Sequence, residues 1–171
     1  SVAKHIEDRE LEYTIYNNLA LNHRYLGEYE EAIDLYMIVL EEREKNENWV
    51  TAAGVLNDIG NTYLYMKNYK TGVEYQQKAL ESLSNIDTLS SKALSIKANT
   101  LNSIGYAFGE LDQNDSALFH YYKSLDFKLK INNLFSWCNT KNNICILLRS
   151  DPEPCIDCYN ELLDVQYELN D

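Results

Sequence analysis

Apolar residues recur along most of the chain at spacings of three and four, which is the period of an amphipathic α-helix. In the stretch YLGEYEEAIDLY, one apolar stripe ends at Leu26 and another starts at Tyr29, with Gly27 between them. Glycine readily adopts the left-handed backbone conformation that closes a helix in a tight turn. We therefore predict two helices joined by a turn at Gly27.

The same helix–turn–helix pattern occurs four times along the chain. In each copy, the first helix (helix A) carries a central small residue after an aliphatic one, and the second helix (helix B) carries another small residue. The central residues of helix A are Ala20, Gly60, Gly105 and Cys145, and those of helix B are Ala32, Gly72, Ala117 and Cys155. Small residues let two helices approach closely, and each pair leaves apolar surface for the next pair to cover. Spacings of 40 and 45 residues indicate a helical repeat array.

The pattern predicts an all-α fold. We expect helices near residues 9–26, 29–46, 48–66, 69–84, 89–111, 114–131, 134–149 and 153–168. They form four repeats, at about 9–46, 48–84, 89–131 and 134–168, in a single domain that covers residues 1–171. Residues 1–8 fit the tail of an earlier helix, and the last helix keeps apolar residues without a polar capping helix after it. Terminal repeats normally have a polar outer face, so we expect the chain to be a fragment of a longer protein.

The four copies resemble the tetratricopeptide repeat (TPR), most strongly in LGEYEEAIDLY and NDIGNTYLYMKNYKTGVEYQQKAL. The resemblance implies a right-handed solenoid of about four antiparallel helix pairs, with the A helices lining a concave groove. The copies depart from the family pattern because they are longer than about 34 residues. They also lack the family's late Pro, and His23 and Gln76 lie where aromatic residues are usual. The segments NNLA, NDIG and NSIG look most similar to TPR regions of bacterial signalling proteins, which implies a sensory or regulatory role.

The charge of the chain narrows the class of partner. With 27 acidic and 15 basic residues, the formal net charge is −12. Such a surface repels phosphate backbones and attracts basic peptides or protein surfaces, so we expect no direct nucleic-acid ligand. No apolar run is long enough for a membrane span, and no signal-peptide pattern is present. We expect a soluble segment, cytoplasmic in preference, with a periplasmic sensor region as the open alternative.

The sequence carries no arrangement that points to catalysis. No phosphate-binding glycine loop is present, and the histidines lie apart from any nucleophile or metal-ligand pattern: His5, His23 and His120. We therefore predict a protein without enzymatic activity and without a cofactor.

Cys155 and Cys158 form a C-x-x-C pair, which invites a metal or redox interpretation. Zinc would need two further ligands at suitable spacing, and none is apparent. Cys145 and Cys155 also lie at the small-residue positions of the fourth copy, so we predict buried apolar cysteines and no metal site. A disulfide between Cys145 and Cys155 stays open for an exported protein.

A series of polar residues on helix A points to binding. An asparagine lies three residues before each central small residue, and further polar or aromatic groups share or flank the same face. The candidate ligand-binding residues are Asn17, Arg24, Tyr25, Asn57, Asn61, Tyr65, Asn99, Asn102, Asn139 and Asn142. Asparagine is a mediocre helix residue, and its amide offers a donor and an acceptor that match a peptide backbone.

Two interpretations of the asparagine series remain open. In the first, each amide bonds to a neighbouring helix and sets the register between repeats. In the second, the series holds a peptide or protein segment, which predicts that Asn57→Ala and Asn102→Ala weaken binding and leave the fold intact. We favour a protein- or peptide-binding module, and an assembly scaffold or homodimerisation domain without a groove ligand is the alternative.

Overall fold

The protein is represented by a computed structural model that describes residues 2–86 and 88–148, with side chains from residue 9 onward. The described residues form seven α-helices. They are α1 (Val2–Leu26), α2 (Tyr29–Lys45), α3 (Trp49–Tyr65), α4 (Tyr69–Ser84), α5 (Ser91–Glu110), α6 (Asn114–Lys130) and α7 (Leu134–Leu148). Helices α1, α3, α5 and α7 are the predicted A helices, and α2, α4 and α6 are the B helices. The eighth predicted helix, at 153–168, lies outside the described residues.

The observed helix ends agree with the predicted ends to within about two residues, except at the start of α1. This helix begins at Val2, so residues 2–8 continue α1 and are not the tail of an earlier helix. The expectation was wrong here because nothing in the first 26 residues interrupts a helix: neither Gly nor Pro occurs among them.

The described helices group into two compact units, divided between residues 87 and 88. In unit 1, α1 packs on α2, α2 on α3, and α3 on α4. In unit 2, α5 packs on α6, α6 packs on α7, and α5 also contacts α7. The A helices α1, α3 and α5 thus each contact the B helix that follows, and α2 and α6 also contact the next A helix. The prediction of one domain over residues 1–171 stays a prediction.

Small residues occur where the A and B helices approach most closely. A Cβ atom on Gly60 would lie 2.6 Å from Gln76 Cγ and 3.0 Å from the carbonyl oxygen of Gly72. A Cβ atom on Gly105 would lie 2.7 Å from the ring of Tyr121. The predicted register of small residues is therefore observed in both units, and larger side chains would force the helices apart.

The turn at Gly27 has the predicted left-handed backbone, with φ of +81°. The Glu28 N–H donates to the carbonyl oxygen of His23 at 2.9 Å, which closes the end of α1. Across the same turn, His23 Nδ1 and Glu28 Oε2 are 2.6 Å apart, so His23 bridges the turn instead of filling an aromatic core position. The turn therefore lies where the sequence predicts it, whereas the His23 side chain contacts Glu28 across the turn instead of packing in the core.

Candidate functional site

The predicted site residues lie on one side of the A helices, which we call the A-helix face. Residues at the same distance from the central small residue of their repeat are called equivalent. Half of the predicted site residues are exposed, and the other half are partly buried. The exposed ones are Tyr25, Tyr65, Asn99, Asn139 and Asn142, and the partly buried ones are Asn17, Arg24, Asn57, Asn61 and Asn102.

In unit 1, Arg24 connects α1 to α3. Its Nη1 atom donates to Asp58 Oδ1 at 3.3 Å and to the Asp58 carbonyl oxygen at 3.4 Å. The guanidinium carbon lies 5.8 Å from the ring centre of Tyr25 and 5.7 Å from that of Tyr65, within cation–π range. Only 9% of the Arg24 side chain is exposed. Arg24 therefore joins the first two repeats, and Tyr25 and Tyr65 are the side chains that are exposed to solvent beside it.

The environment of this ion pair is largely desolvated. Burial raises the pKa of Asp58, and the Arg24 guanidinium acts in the opposite direction by stabilising the carboxylate. Nearby, burial and then the Asp58 charge raise the pKa of Tyr36 to about 12. The Tyr36 hydroxyl has no hydrogen-bond partner among the described residues. Arg24 thus stabilises the charged form of a partly buried carboxylate, which is a structural role.

Asn61 also has an internal partner. The fully buried Gln76 donates from Nε2 to Asn61 Oδ1 at 3.0 Å, and so links helix B to helix A of the second repeat. Gln76 is equivalent to Tyr36 and Tyr121. The buried amide of Gln76 needs a polar partner, and Asn61 supplies one.

In unit 2, Asn102 bonds to the following repeat. Its Oδ1 atom accepts from Thr140 Oγ1 at 2.8 Å and from Asn143 Nδ2 at 3.3 Å, both on α7. This is the register-setting contact that the first interpretation of the asparagine series expects. A binding role for the series as a whole stays a prediction.

The same network contains a buried lysine. Lys128 is 2% exposed, and its Nζ atom donates to Thr140 Oγ1 at 2.5 Å and to the carbonyl oxygen of Ser136 at 3.0 Å. Burial lowers the pKa of Lys128 to about 8. No carboxylate contributes to this shift, so Lys128 is a buried cation held by neutral oxygen atoms.

An open cleft of about 570 Å³ lies on the A-helix face of unit 2. Tyr106 and Ile146 form part of its wall and are 42% and 67% exposed. The cleft is lined by Tyr106, Gly109, Glu110, Asp112, Asn114, Tyr121, Asn143, Ile146, Leu147 and Leu148. None of these ten is among the predicted site residues, although Tyr106 and Ile146 follow members of the asparagine series by four positions.

A family model described as tetratricopeptide repeat matches residues 11–85. Residues 11–85 thus match the tetratricopeptide repeat family, and the chain as a whole is similar to tetratricopeptide repeat proteins in fold. A human protein, intraflagellar transport protein 88 homolog, is 24% identical over 162 residues, which cover 95% of this chain and 18% of the relative. The chain therefore spans less than a fifth of the length of this curated relative.

Solved structures of TPR proteins have the same fold. One is a STAND signal transduction ATPase with a tetratricopeptide repeat sensor from Pyrococcus horikoshii, with a TM-score of 0.73 and 18% identity, over 100% of this chain and 26% of that chain. Another contains the TPR-like repeats of a kinesin light chain from Podosopora anserina, with a TM-score of 0.67 and 13% identity, over 92% and 76% of the two chains. At these identities the likeness shows the fold alone. The predicted all-α, TPR-like solenoid fold is confirmed.

The TPR fold typically serves protein–protein interaction and is not itself catalytic. Within the described ranges, no group of three or more His, Cys, Asp and Glu side chains is arranged to hold a metal ion. Over the same part of the chain, no helix combines the length and the apolar character that a membrane crossing requires. The expectation that this chain lacks enzymatic activity stays a prediction.

The cysteines of the fourth TPR copy are described only in part. Cys138 is partly buried, and burial raises the pKa of its thiol. Cys155 and Cys158 lie outside the described residues, so the C-x-x-C pair and a bond between Cys145 and Cys155 are beyond what the structure describes.

Proposed function

We propose that this TPR protein binds a peptide or protein segment along its A-helix face. The observation that carries the proposal is the exposure of large apolar side chains on this face in both units. Tyr25 and Tyr65 are 72% and 59% exposed in unit 1, and Tyr106 and Ile146 are exposed in unit 2. Aromatic groups held on rigid helices lose little conformational entropy on binding and are enriched at interfaces.

The proposal extends to the biological context. We infer that the chain is the sensory or regulatory region of a bacterial signalling protein, in which the bound segment is the input. The resemblance of its NNLA, NDIG and NSIG segments to TPR regions of such proteins supports this inference. The fold likeness to the TPR sensor of a signal transduction ATPase points in the same direction.

A selection from a displayed random-peptide library tests the binding function. The purified chain is the target, and the affinity of each selected peptide is then measured for a Tyr25→Ser/Tyr65→Ser variant and a Tyr106→Ser/Ile146→Ser variant. We expect at least one of these variants to lose about tenfold or more in affinity.

The matched control for this selection is Met37→Ser/Tyr122→Ser, which changes exposed apolar residues on the B helices α2 and α6. It should bind the selected peptides normally. Equal binding by all variants, or loss only in the control, would place the interface elsewhere.

One observation favours the alternative, an assembly scaffold or homodimer. The α1 residues Leu11, Ile15 and Leu19 form an exposed apolar stripe at spacings of four. The equivalent residues Val55 and Ile59 on α3 are buried in unit 1, where α2 packs on α3. Sedimentation velocity of the chain and of Ile15→Glu separates the two functions, because a scaffold would self-associate through this stripe and lose that association in the variant.

A further inference from the structure

Helix α1 carries a line of exposed apolar side chains, which we call the α1 stripe. Leu11, Ile15 and Leu19 follow one another at spacings of four, and Leu26 comes seven positions later, so all four lie on one side of the helix. From the first to the last residue the stripe is about 22 Å long. It is therefore long enough to hold one further helix of ordinary length, such as the 15 residues of α7.

The α1 stripe is separate from the A-helix face. Ile15 and Asn17 are two positions apart, so their side chains lie about 200° apart around the helix. Ile15 and Leu19 are 48% and 42% exposed. A segment bound along the A-helix face would thus leave the stripe in contact with solvent.

The other A helices show which kind of element covers such a surface. In unit 1, the residues of α3 equivalent to the middle of the stripe are Val55 and Ile59, and they are buried where α2 packs on α3. In unit 2, the equivalent residues of α7 are Thr140 and Ile144, and they are buried where α6 packs on α7. In both units a B helix packs on the A helix that carries these residues.

The face of α6 that packs on α7 shows the chemistry of a suitable occupant. Tyr121 and Leu125, four positions apart on α6, belong to one buried cluster with Trp137 and Ile144 of α7. Residues four apart lie on the same side of a helix, and such rows fit between the side chains of a facing helix. An aromatic residue and a leucine at this spacing therefore match the apolar side of an A helix.

One contact of α6 cannot be repeated on α1. Three positions after Leu125, Lys128 donates from Nζ to Thr140 Oγ1. The residue of α1 equivalent to Thr140 is Ile15, whose side chain offers no acceptor. A cation at this position would be buried without its oxygen atom, whereas an apolar side chain would pack on Ile15. The second repeat has such a side chain, because the buried Leu83 is equivalent to Lys128.

We propose that the α1 stripe docks an amphipathic helix of a partner protein. The packing face of that helix carries an aromatic residue, a leucine and a further apolar residue at positions i, i+4 and i+7. The helix covers α1 as α2 covers α3 and as α6 covers α7. Apolar residues at these positions are the anchors by which a helix binds an apolar surface of another protein. This interaction goes beyond the proposed function, because it uses a different side of α1.

A helical peptide derived from α6 tests the docking. It has the sequence of Asn114–Lys130 with Lys128→Leu and Tyr122→Lys, and a lactam joins the side chains of residues 122 and 126. Both bridged positions are exposed on α6, so the lactam stabilises the helix and leaves the packing face free. Fluorescence anisotropy of the labelled peptide gives its affinity for the parent chain.

The control peptide adds Leu125→Ser to the same sequence. It keeps the exposed apolar residues Phe119 and Leu129, so non-specific adhesion is the same for both peptides. We expect it to bind at least about tenfold more weakly, because the leucine is buried in the docked helix. A peptide that keeps Lys128 should also bind about fivefold or more weakly, because its cation has no acceptor on Ile15.

Two variants of the chain assign the binding to the stripe. Ile15→Glu should weaken binding of the peptide about tenfold or more, because it places a charge in the contact. The matched control Ile38→Glu makes the same change on α2 at a residue that is 47% exposed, and it should bind normally. Leu11→Glu provides a second variant if the circular dichroism spectrum shows that Ile15→Glu is not helical.

Equal affinity for the peptide and its Leu125→Ser control, or equal weakening by Ile15→Glu and Ile38→Glu, would overturn the proposal. Binding that is as tight with Lys128 as with leucine would also overturn it. Self-association of the parent chain that Ile15→Glu abolishes would replace the partner helix by a second copy of the chain. These failures are distinct from a failure of the proposed function, which is measured with library peptides and the Tyr25→Ser/Tyr65→Ser variant.

Discussion

Units 1 and 2 hold a buried cation at the same position of helix B and satisfy it in different ways. In unit 1, Arg43 Nη1 lies 2.7 Å from both carboxylate oxygens of Glu10 on α1. Its equivalent in unit 2 is Lys128, and the residue equivalent to Glu10 is Ser95. Lys128 instead turns to neutral oxygen atoms on α7, including that of Thr140. The first and third repeats thus share a buried positive charge at this position, where the second repeat has the buried Leu83, and the two charges have different partners.

The contact between successive A helices also differs between unit 1 and unit 2. Arg24 and Asp58 form an ion pair in unit 1, whereas the equivalent Gly109 and Asn143 line an open cleft in unit 2. Equivalent positions thus form a structural ion pair in unit 1 and border a cleft in unit 2.

The largest expected effect comes from breaking the ion pair of unit 1. Asp58→Ala leaves the enclosed Arg24 guanidinium without its carboxylate and should lower the free energy of unfolding by about 3 kcal/mol. Asn143→Ala, the equivalent change in unit 2, removes one long hydrogen bond and should lower it by about 0.5–1 kcal/mol. Urea unfolding followed by circular dichroism measures both. Similar losses in the two variants would show that the units do not differ in this way.

The next effect is a pH dependence that Lys128 should contribute in unit 2. The pKa of Lys128 is about 8 in the folded chain, against an ordinary value of 10.5. Between these values the unfolded chain binds more protons, so the free energy of unfolding that Lys128 contributes rises with pH. The gain should reach about 2 kcal/mol between pH 7 and 10.5, because deprotonation removes the desolvation penalty.

The reference for this measurement is Lys128→Met, which keeps the length of the side chain and cannot titrate. Urea unfolding of both proteins at several pH values cancels the titration of other groups. The free energy of unfolding of the parent chain, relative to that of the variant, should increase as pH rises. A difference that stays constant with pH would mean that Lys128 keeps its ordinary pKa.

The sequence predicts the helices well because their periodicity and small residues are local signals. The longer spacing between Gly60 and Gly105 has two structural causes. Helix α5 has 20 residues against 17 for α3, and the linker between α4 and α5 accounts for the remainder. The predicted helix at 89–111 takes up most of the insertion, but Ser90 caps α5 and accepts from the Ala93 N–H at 3.2 Å. The N-cap therefore stops α5 from extending further back.

The sequence predicts which face of the A helices carries the site, but it does not predict the contacts that the side chains on this face make. Arg24 was expected to flank a groove, but Asp58, 34 residues away, encloses it. Gly109, which lines the cleft, has no side chain where the equivalent Arg24 has a long one. Such features become visible only when equivalent positions of the repeats are compared, because a pairing across helices leaves no signal in the neighbouring sequence.

The smallest expected effect separates two members of the asparagine series. Asn102→Ala removes the acceptor of Thr140 and Asn143 and should lower the free energy of unfolding by about 1 kcal/mol. Asn142→Ala makes the same chemical change at an exposed position of α7, where alanine is the better helix residue, so stability should stay the same or rise by a few tenths of a kcal/mol. A loss of this size leaves the fold intact, so our sequence-based expectation for Asn102→Ala stays a prediction. If urea unfolding gives the same result for both variants, the bond between α5 and α7 contributes nothing measurable, and Asn102 is then free to serve a ligand, as the second interpretation of the series requires.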